Sequence, residues 1–232
     1  MTSCTAHRNP PRSRAVSDGM ATYHECSRHA APAGRVQPMA LLGTTLWAGS
    51  WETDRLYAID VATWSVTDEV AAPGRPYGLT AMAGELRVVI SVGEEDDRYL
   101  YRFVPGQGFL HGSTPCPELN GSHLASDGTA LYLCQATNRR IVELDAAGAI
   151  AREIALPTRC AGMGFGPDGF RIISADDDFD HLSFATLDLA QPAPQIGAIA
   201  EMPAEARSLV FDGANWWTSL REEGAIVSFT LE

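Results

Sequence analysis

Seven side chains in this sequence share a position from which they could act together on a ligand: Gln37, Tyr77, Ser122, His123, Cys160, Arg207 and Ser208. Each stands within three residues before a hydrophobic anchor, Met39, Leu79, Leu124, Met163 or Leu209. If the anchors occupy equivalent places in a repeating structure, the residues before them face one axis. His123 is the candidate general acid/base, because an unperturbed imidazole titrates near neutral pH. Arg207 could hold a developing negative charge, and Tyr77 could donate a hydrogen bond or stack. These three form the catalytic assignment. Gln37, Trp51, Ser122, Cys160 and Ser208 form the substrate-binding one, with Trp51 placed to stack on a ligand ring. Each has a plainer role beside it. His123 could bond a neighbouring backbone group, Cys160 could be an inert buried thiol rather than a nucleophile activated by Arg207 or His123, and the aromatic residues could wedge between sheets.

Other chemistries fail on spacing. Asp176, Asp178 and Asp180 imitate the start of a calcium loop, but the required Gly and Glu positions hold His181 and Leu187. The segment "HECSRH" has one residue too many for the H-E-x-x-H zinc motif. No G-x-S-x-G or glycine-rich phosphate loop is present. All 17 basic residues are Arg, which excludes a Schiff-base or P-loop lysine.

The elements that must carry these side chains repeat. Asp-Gly-like turns place glycines at Gly43, Gly84, Gly128, Gly169 and Gly213. Thirteen residues after four of them an aliphatic residue opens another strand: Leu56, Ile141, Leu182 and Ile226. From Gly84 the interval to Leu100 is 16, with the acidic insertion "GEEDD" between. The anchors are spaced 40, 45, 39 and 46 residues apart. A period near 40 with several short strands per unit predicts an all-β, five-bladed β-propeller with four-stranded antiparallel blades. In the third unit, "SHLAS" reads as the inner strand, "ALYLCQA" and "RIVELDA" as the next two, and "IAREIAL" as the outer one.

The blades fall at about 36–75, 76–119, 120–159, 160–205 and 206–232. The fifth unit ends after its third strand, so its fourth must come from elsewhere, since an open edge invites aggregation. Segment 20–30, "MATYHECSRHA", is the available strand, and it predicts a ring closed by the N-terminal end of a single domain over 20–232. Residues 1–19 are polar and rich in Pro and Arg, and read as a disordered tail.

The segment "GSHLASDGTALYLCQATNRRIVELDAAGAIAREIALP" resembles a repeat of the streptogramin-lyase and NHL-type propellers. "WETDRLYAIDVATW" is similar to a segment of glutamine cyclotransferases. The resemblance spans about 195 residues and implies the fold. It does not supply the catalytic set: the blade entrances read "QPM", "YGL", "SHL", "AGM" and "RSL", without the cyclotransferase carboxylates or a lactonase-type Glu, Asn and Asp set. His123 is only a loose match to the lyase base.

Net charge is −12; residues 1–35 carry +3 and the rest −15. An acidic body argues against nucleic acid as a partner. Twelve of the 29 acids fall in the loops expected on the face of the site, where a weakly held calcium or magnesium ion or a cationic ligand would be drawn. No other cofactor and no structural zinc is expected. The lack of an apolar span or a secretory leader pattern gives a cytoplasmic expectation with no membrane partner, and five cysteines without C-x-x-C spacing argue against a disulfide framework. Two functions follow. One is a lyase, cyclase or hydrolase acting on a small molecule or peptide at the channel mouth. The other is a non-catalytic propeller that binds a ligand or protein through its acidic face.

Overall fold

Runs of apolar residues four to eight long, cut by turn glycines, fold as antiparallel sheets. The computed structural model describes residues 19–232, and the tail expected over 1–19 lies outside them except for Gly19. Blade 1 holds β2 (Val36–Leu42), β3 (Thr45–Ser50), β4 (Arg55–Asp60) and β5 (Ser65–Ala71). Blade 2 holds β6 (Arg75–Met82), β7 (Glu85–Val92) and β8 (Asp97–Val104), and its outer position is shared by two short strands, β9 (Gly108–Phe109) and β10 (Thr114–Pro115). Blade 3 holds β11 (His123–Ser126), β12 (Leu131–Gln135), β13 (Arg140–Leu144) and β14 (Ile150–Ala155). Blade 4 holds β15 (Arg159–Gly166), β16 (Gly169–Ala175), β17 (Leu182–Thr186) and β18 (Gly197–Met202). Blade 5 holds β19 (Ala206–Phe211), β20 (Trp216–Leu220) and β21 (Ala225–Leu231).

The five-bladed, four-stranded propeller expected from the repeat is the observed architecture. Helix is confined, among the described residues, to one 3-10 turn at Pro117–Leu119. All five turn glycines between first and second strands have positive φ, from 62° at Gly43 to 101° at Gly213, a backbone region in which a Cβ is strained. Burial falls outward along each blade. β2 and β12 are almost wholly buried, whereas β5 and β14 are mostly exposed.

The core is divided into five apolar clusters, one between each pair of neighbouring blades. Edge-to-face aromatic contacts fill two of them: Trp47 on Phe103, with centroids 5.0 Å apart, and Phe184 on Trp216, 5.2 Å apart. The inner strands approach closely because small residues sit where they meet. A Cβ on Gly162 would lie 2.7 Å from the Ser208 backbone nitrogen, and one on Gly78 would lie 3.1 Å from the backbone of His123.

The missing strand of blade 5 is β1 (Tyr23–Ala30), which pairs antiparallel with β21 from Tyr23 against Leu231 to Ala30 against Ala225. β1 is also fastened to blade 1. Trp64 Nε1 donates to the Ala30 carbonyl at 3.0 Å, and the His29 ring stacks on Trp64 at 3.9 Å, with Trp217 stacked beyond. Deleting residues 1–30 exposes the β21 edge and removes this seam. The expected loss is several kcal/mol, on the order of 10 °C in Tm for a domain this size. An unchanged melting temperature in the truncated chain would show that β1 does not close the ring.

Candidate functional site

The repeat register decides what reaches the axis. The five anchors Met39, Leu79, Leu124, Met163 and Leu209 line one narrow central channel of about 150 Å3 together. Two residues before each anchor stand Gln37, Tyr77, Ser122, Ala161 and Arg207, and all five line a wider cavity of about 450 Å3 at one end of that channel. His123, Cys160 and Trp51 line it as well. Four inner strands carry a register shift at this level, and β11 does not. Blade 3 accordingly places both Ser122 and His123 on the cavity.

The side chains have different freedom. Gln37 is fully engaged: its Nε2 donates to the Tyr77 carbonyl at 3.2 Å and its Oε1 accepts from Arg221 Nη1 at 3.1 Å. The Ser122 hydroxyl donates to the Cys134 carbonyl at 3.1 Å. Ser208 is not on the cavity; its Oγ accepts the Met39 backbone N–H at 3.1 Å and ties blade 5 to blade 1. Cys160 is fully buried, donates to the Gly162 carbonyl, and has its thiol raised well above the ordinary value by its neighbour Cys134 and by burial. That is the reverse of an activated nucleophile.

Trp51 and Tyr77 do not offer free faces to a ligand ring. They pack against each other with centroids 4.4 Å apart and planes tilted by 43°, the Arg98 guanidinium lies 3.4 Å over Tyr77, and Arg221 lies 4.8 Å over Trp51. The Tyr77 hydroxyl points to Asp96 at 3.5 Å. Asp96 is in turn held by Ser91 and Arg98, and these bonds outweigh the cost of burial and keep its carboxyl below the ordinary value.

Four cavity groups are not fully tied up by the protein: the Trp51 indole N–H and Glu205 Oε2, both buried without a hydrogen-bond partner, and the His123 and Arg207 side chains. The His123 ring makes no hydrogen bond to the described residues and is only 6% exposed. Burial, with Arg207 and Arg221 adding repulsion, pushes its pKa down to about 3, so the ring is neutral at physiological pH. The expectation of a near-neutral titration is corrected: burial is the larger cause, and the two arginines add to it. Arg207 is only 7% exposed and forms no ion pair among the described residues. It spends one nitrogen, Nη1, on the Ala204 and Ala206 carbonyls at 3.1 and 2.7 Å, leaving Nε and Nη2 without a protein acceptor. Burial lowers its pKa from the ordinary value and Arg221 adds to this, against the opposing pull of the nearby Glu205 and Glu222 carboxylates.

The cavity therefore brings Arg207 and Arg221, the latter paired with Glu222 at 2.9 Å, together with the carboxylates Asp178, Asp180 and Glu205. One buried oxygen, Glu205 Oε2, has no hydrogen-bond partner. Much of the acidic face is internally neutralised: Asp177 pairs with Arg139 and Arg159, Glu222 with Arg35 and Arg221, and Glu223 with Arg28. Asp176 spends its carboxylate on the Asp180 and His181 amides and the His181 ring, which shapes the loop. Among the described residues no three His, Cys, Asp or Glu side chains come together as a metal site.

Sequence reasoning missed Arg221 and Phe179 as cavity residues. The signal for Arg221 is in the register, because Trp51, Ala136 and Arg221 each immediately follow a second strand and all three line the cavity. Phe179, at the tip of the 176–181 loop, lies 5.2 Å from Arg207. Its backbone has positive φ, which loop chemistry alone does not announce.

No family model and no curated protein matches the chain. Solved structures do. The PQQ-bound aldose sugar dehydrogenase from Streptomyces coelicolor superposes with a TM-score of 0.62 at 12% identity, over 92% of this chain and 99% of that one. Streptogramin B lyase matches with a TM-score of 0.50 at 12% identity, over 90% and 98%. The fold is a β-propeller. Kuenenia stuttgartiensis hydrazine synthase matches at 0.54 and 17% identity over 82% of this propeller, which spans 56% of that chain. At these identities the likeness is one of fold. No helix among the described residues of the propeller is long and apolar enough to cross a membrane.

The neutral His123 has a measurable consequence. Its folded pKa, about 3, lies below the ordinary value of 6.5, so the unfolded chain binds the extra proton between them. Stability conferred by the neutral ring is complete above pH 6.5 and is lost as pH falls toward 3. Between pH 6.5 and 5 the loss is about 2 kcal/mol. Urea melts of the wild type and His123→Gln check this: the variant's pH dependence is shallower by that amount. Equal slopes would mean that the fold leaves the His123 pKa unshifted.

Proposed function

We propose that this propeller binds a small organic anion at the mouth of its central channel, with Arg207 as the principal anchor and Arg221 as the second cation. The observation that carries the reading is a buried guanidinium without a carboxylate partner, two of whose nitrogens have no protein acceptor, at the floor of a cavity that is open at one end. A buried, unpaired charge is costly to the fold. A bound carboxylate would recover that cost through a charge-assisted, bidentate pair, the geometry for which guanidinium is suited. The ligand class is a free organic acid or the carboxylate end of a short peptide. The volume of about 450 Å3 is in the range of small-molecule sites. PQQ, carried by the aldose sugar dehydrogenase, is a precedent for a propeller that holds a small organic molecule.

A second reading is turnover in the same cavity, as a lyase, cyclase or hydrolase. It is favoured by one observation: the His123 ring lies on the cavity, free of hydrogen bonds to the described residues. A neutral imidazole is an acceptor for a proton, so its role there is that of a base. The acidic rim would exclude highly charged anions and select monoanions. A calcium or magnesium ion on the outer loops has no part in either reading.

Replacement of Arg207 by Met separates a ligand role from a structural one. Calorimetry with benzoate as probe is expected to show affinity falling at least tenfold, as about 1.4 kcal/mol per tenfold requires, while thermal stability stays within about 1 kcal/mol or rises, because a buried unpaired charge has been removed. A large loss of stability with benzoate binding retained would make Arg207 a structural residue and end the proposal.

A further inference from the structure

His123 occupies an unusual position in the anion site proposed above. It is buried, it lies on the cavity, and the described residues offer its ring no acceptor. The charged and titratable groups around it come from every neighbouring blade. Arg207 reaches it from β19 and Arg221 from the loop after β20. Cys134 lies directly opposite on β12, Cys160 faces the cavity from β15, and Tyr77 faces it from β6. The carboxylates Asp178, Asp180 and Glu205 stand on the cavity with Phe179. The two cations therefore dominate the field at the ring, and both are groups that a bound anion would neutralise.

We infer that the cavity takes up its anion together with one proton, so that the species removed from solution is in sum a neutral weak acid: the ligand carboxylate settles on Arg207 and Arg221, and a solvent proton settles on the His123 ring. This rests on the anion-binding reading and adds the form in which the ligand is held. The balance is simple. One negative and one positive charge enter, no covalent bond in the ligand forms or breaks, and the cavity keeps the net charge it had. The protonated imidazole then becomes a further donor to the anion, beside the Nε and Nη2 edge that Arg207 leaves free. The depressed basicity of the free ring agrees with this, since burial and the same two arginines cause it. It also makes His123 an acid only when the cavity is filled, so that any proton transfer to a ligand waits for binding. The affinity then rises by up to tenfold for each unit that pH falls below the pKa the ring acquires in the complex.

The test is calorimetry of the whole chain with benzoate at about pH 5.5, in bis-tris and in piperazine, cationic buffers that differ in heat of ionisation and do not compete as anions. The expected result is uptake approaching one proton per benzoate bound, abolished in His123→Gln, and a wild-type His123 ring NMR signal that moves to its protonated position only when benzoate is added. If benzoate binds without proton uptake, the inference fails while the anion site stands. Uptake that persists in His123→Gln assigns the proton to Asp178, Asp180, Glu205 or the benzoate carboxylate itself and overturns the inference as well. If neither benzoate nor sulfate binds, the anion site and the inference fall together. Should the variant not fold, the wild-type His123 signal decides alone, because a ring that stays neutral in the complex contradicts the proposal.

Discussion

The hydrogen-bonded ladder between β1 and β21 is the contact on which the rest of this molecule depends. A propeller is a chain of blades that each bury one face against the next, and the chain is stable only if its last blade meets its first. Here the seam between blades 5 and 1 carries more than β1. The Met39 amide bonds Ser208, Ser219 Oγ donates to the Gln37 carbonyl at 3.0 Å, and Arg221 donates to Gln37. The last of these bonds belongs to the cavity wall. Closing the ring and assembling the site are thus the same event, and loss of the outer strand would loosen the cavity from one side.

The electrostatics run against the protein's overall charge. A chain of net charge −12 places two guanidinium groups on its axial cavity, together with the carboxylates Asp178, Asp180 and Glu205. Several of those loop acids are spent on arginines beside them, so the acidic composition says little about the field at the axis. That field is set by local desolvation. Arg207 and His123 are both buried among blade ends, where a neutral ring is favoured beside two cations and a guanidinium is left wanting an anion. On the proposed anion-binding reading, this arrangement would weaken the free protein and strengthen its complex.

The fold was legible because its signals are periodic. Glycines that need positive φ and anchors spaced near 40 residues state where strands turn and which residues share the axis. The same register places Gln37, Tyr77, Ser122 and Arg207 together on the cavity wall, since they are equivalent positions. What the residues do there was not legible. Hydrogen-bonding partners turned Ser208 and Gln37 into stitches between blades, and stacking arginines closed the faces of Trp51 and Tyr77. Whether an imidazole at position 123 titrates near neutral pH depends on its burial and on Arg207 and Arg221, which lie 84 and 98 residues away in sequence. The charge pattern of the loops suggested a site for cations, and the pairing of those loop acids with arginines is what the proposed anion site rests on.

The central claim is that the axial cavity is an anion site anchored by Arg207. It is tested most directly by diffraction from a crystal soaked in 4-bromobenzoate, in which the bromine is located by its anomalous signal. The account predicts one ordered molecule in the cavity, its carboxylate on the free edge of the Arg207 guanidinium and its bromine directed outward past Phe179. Bromine peaks confined to other surfaces, with the cavity holding only solvent, would contradict it.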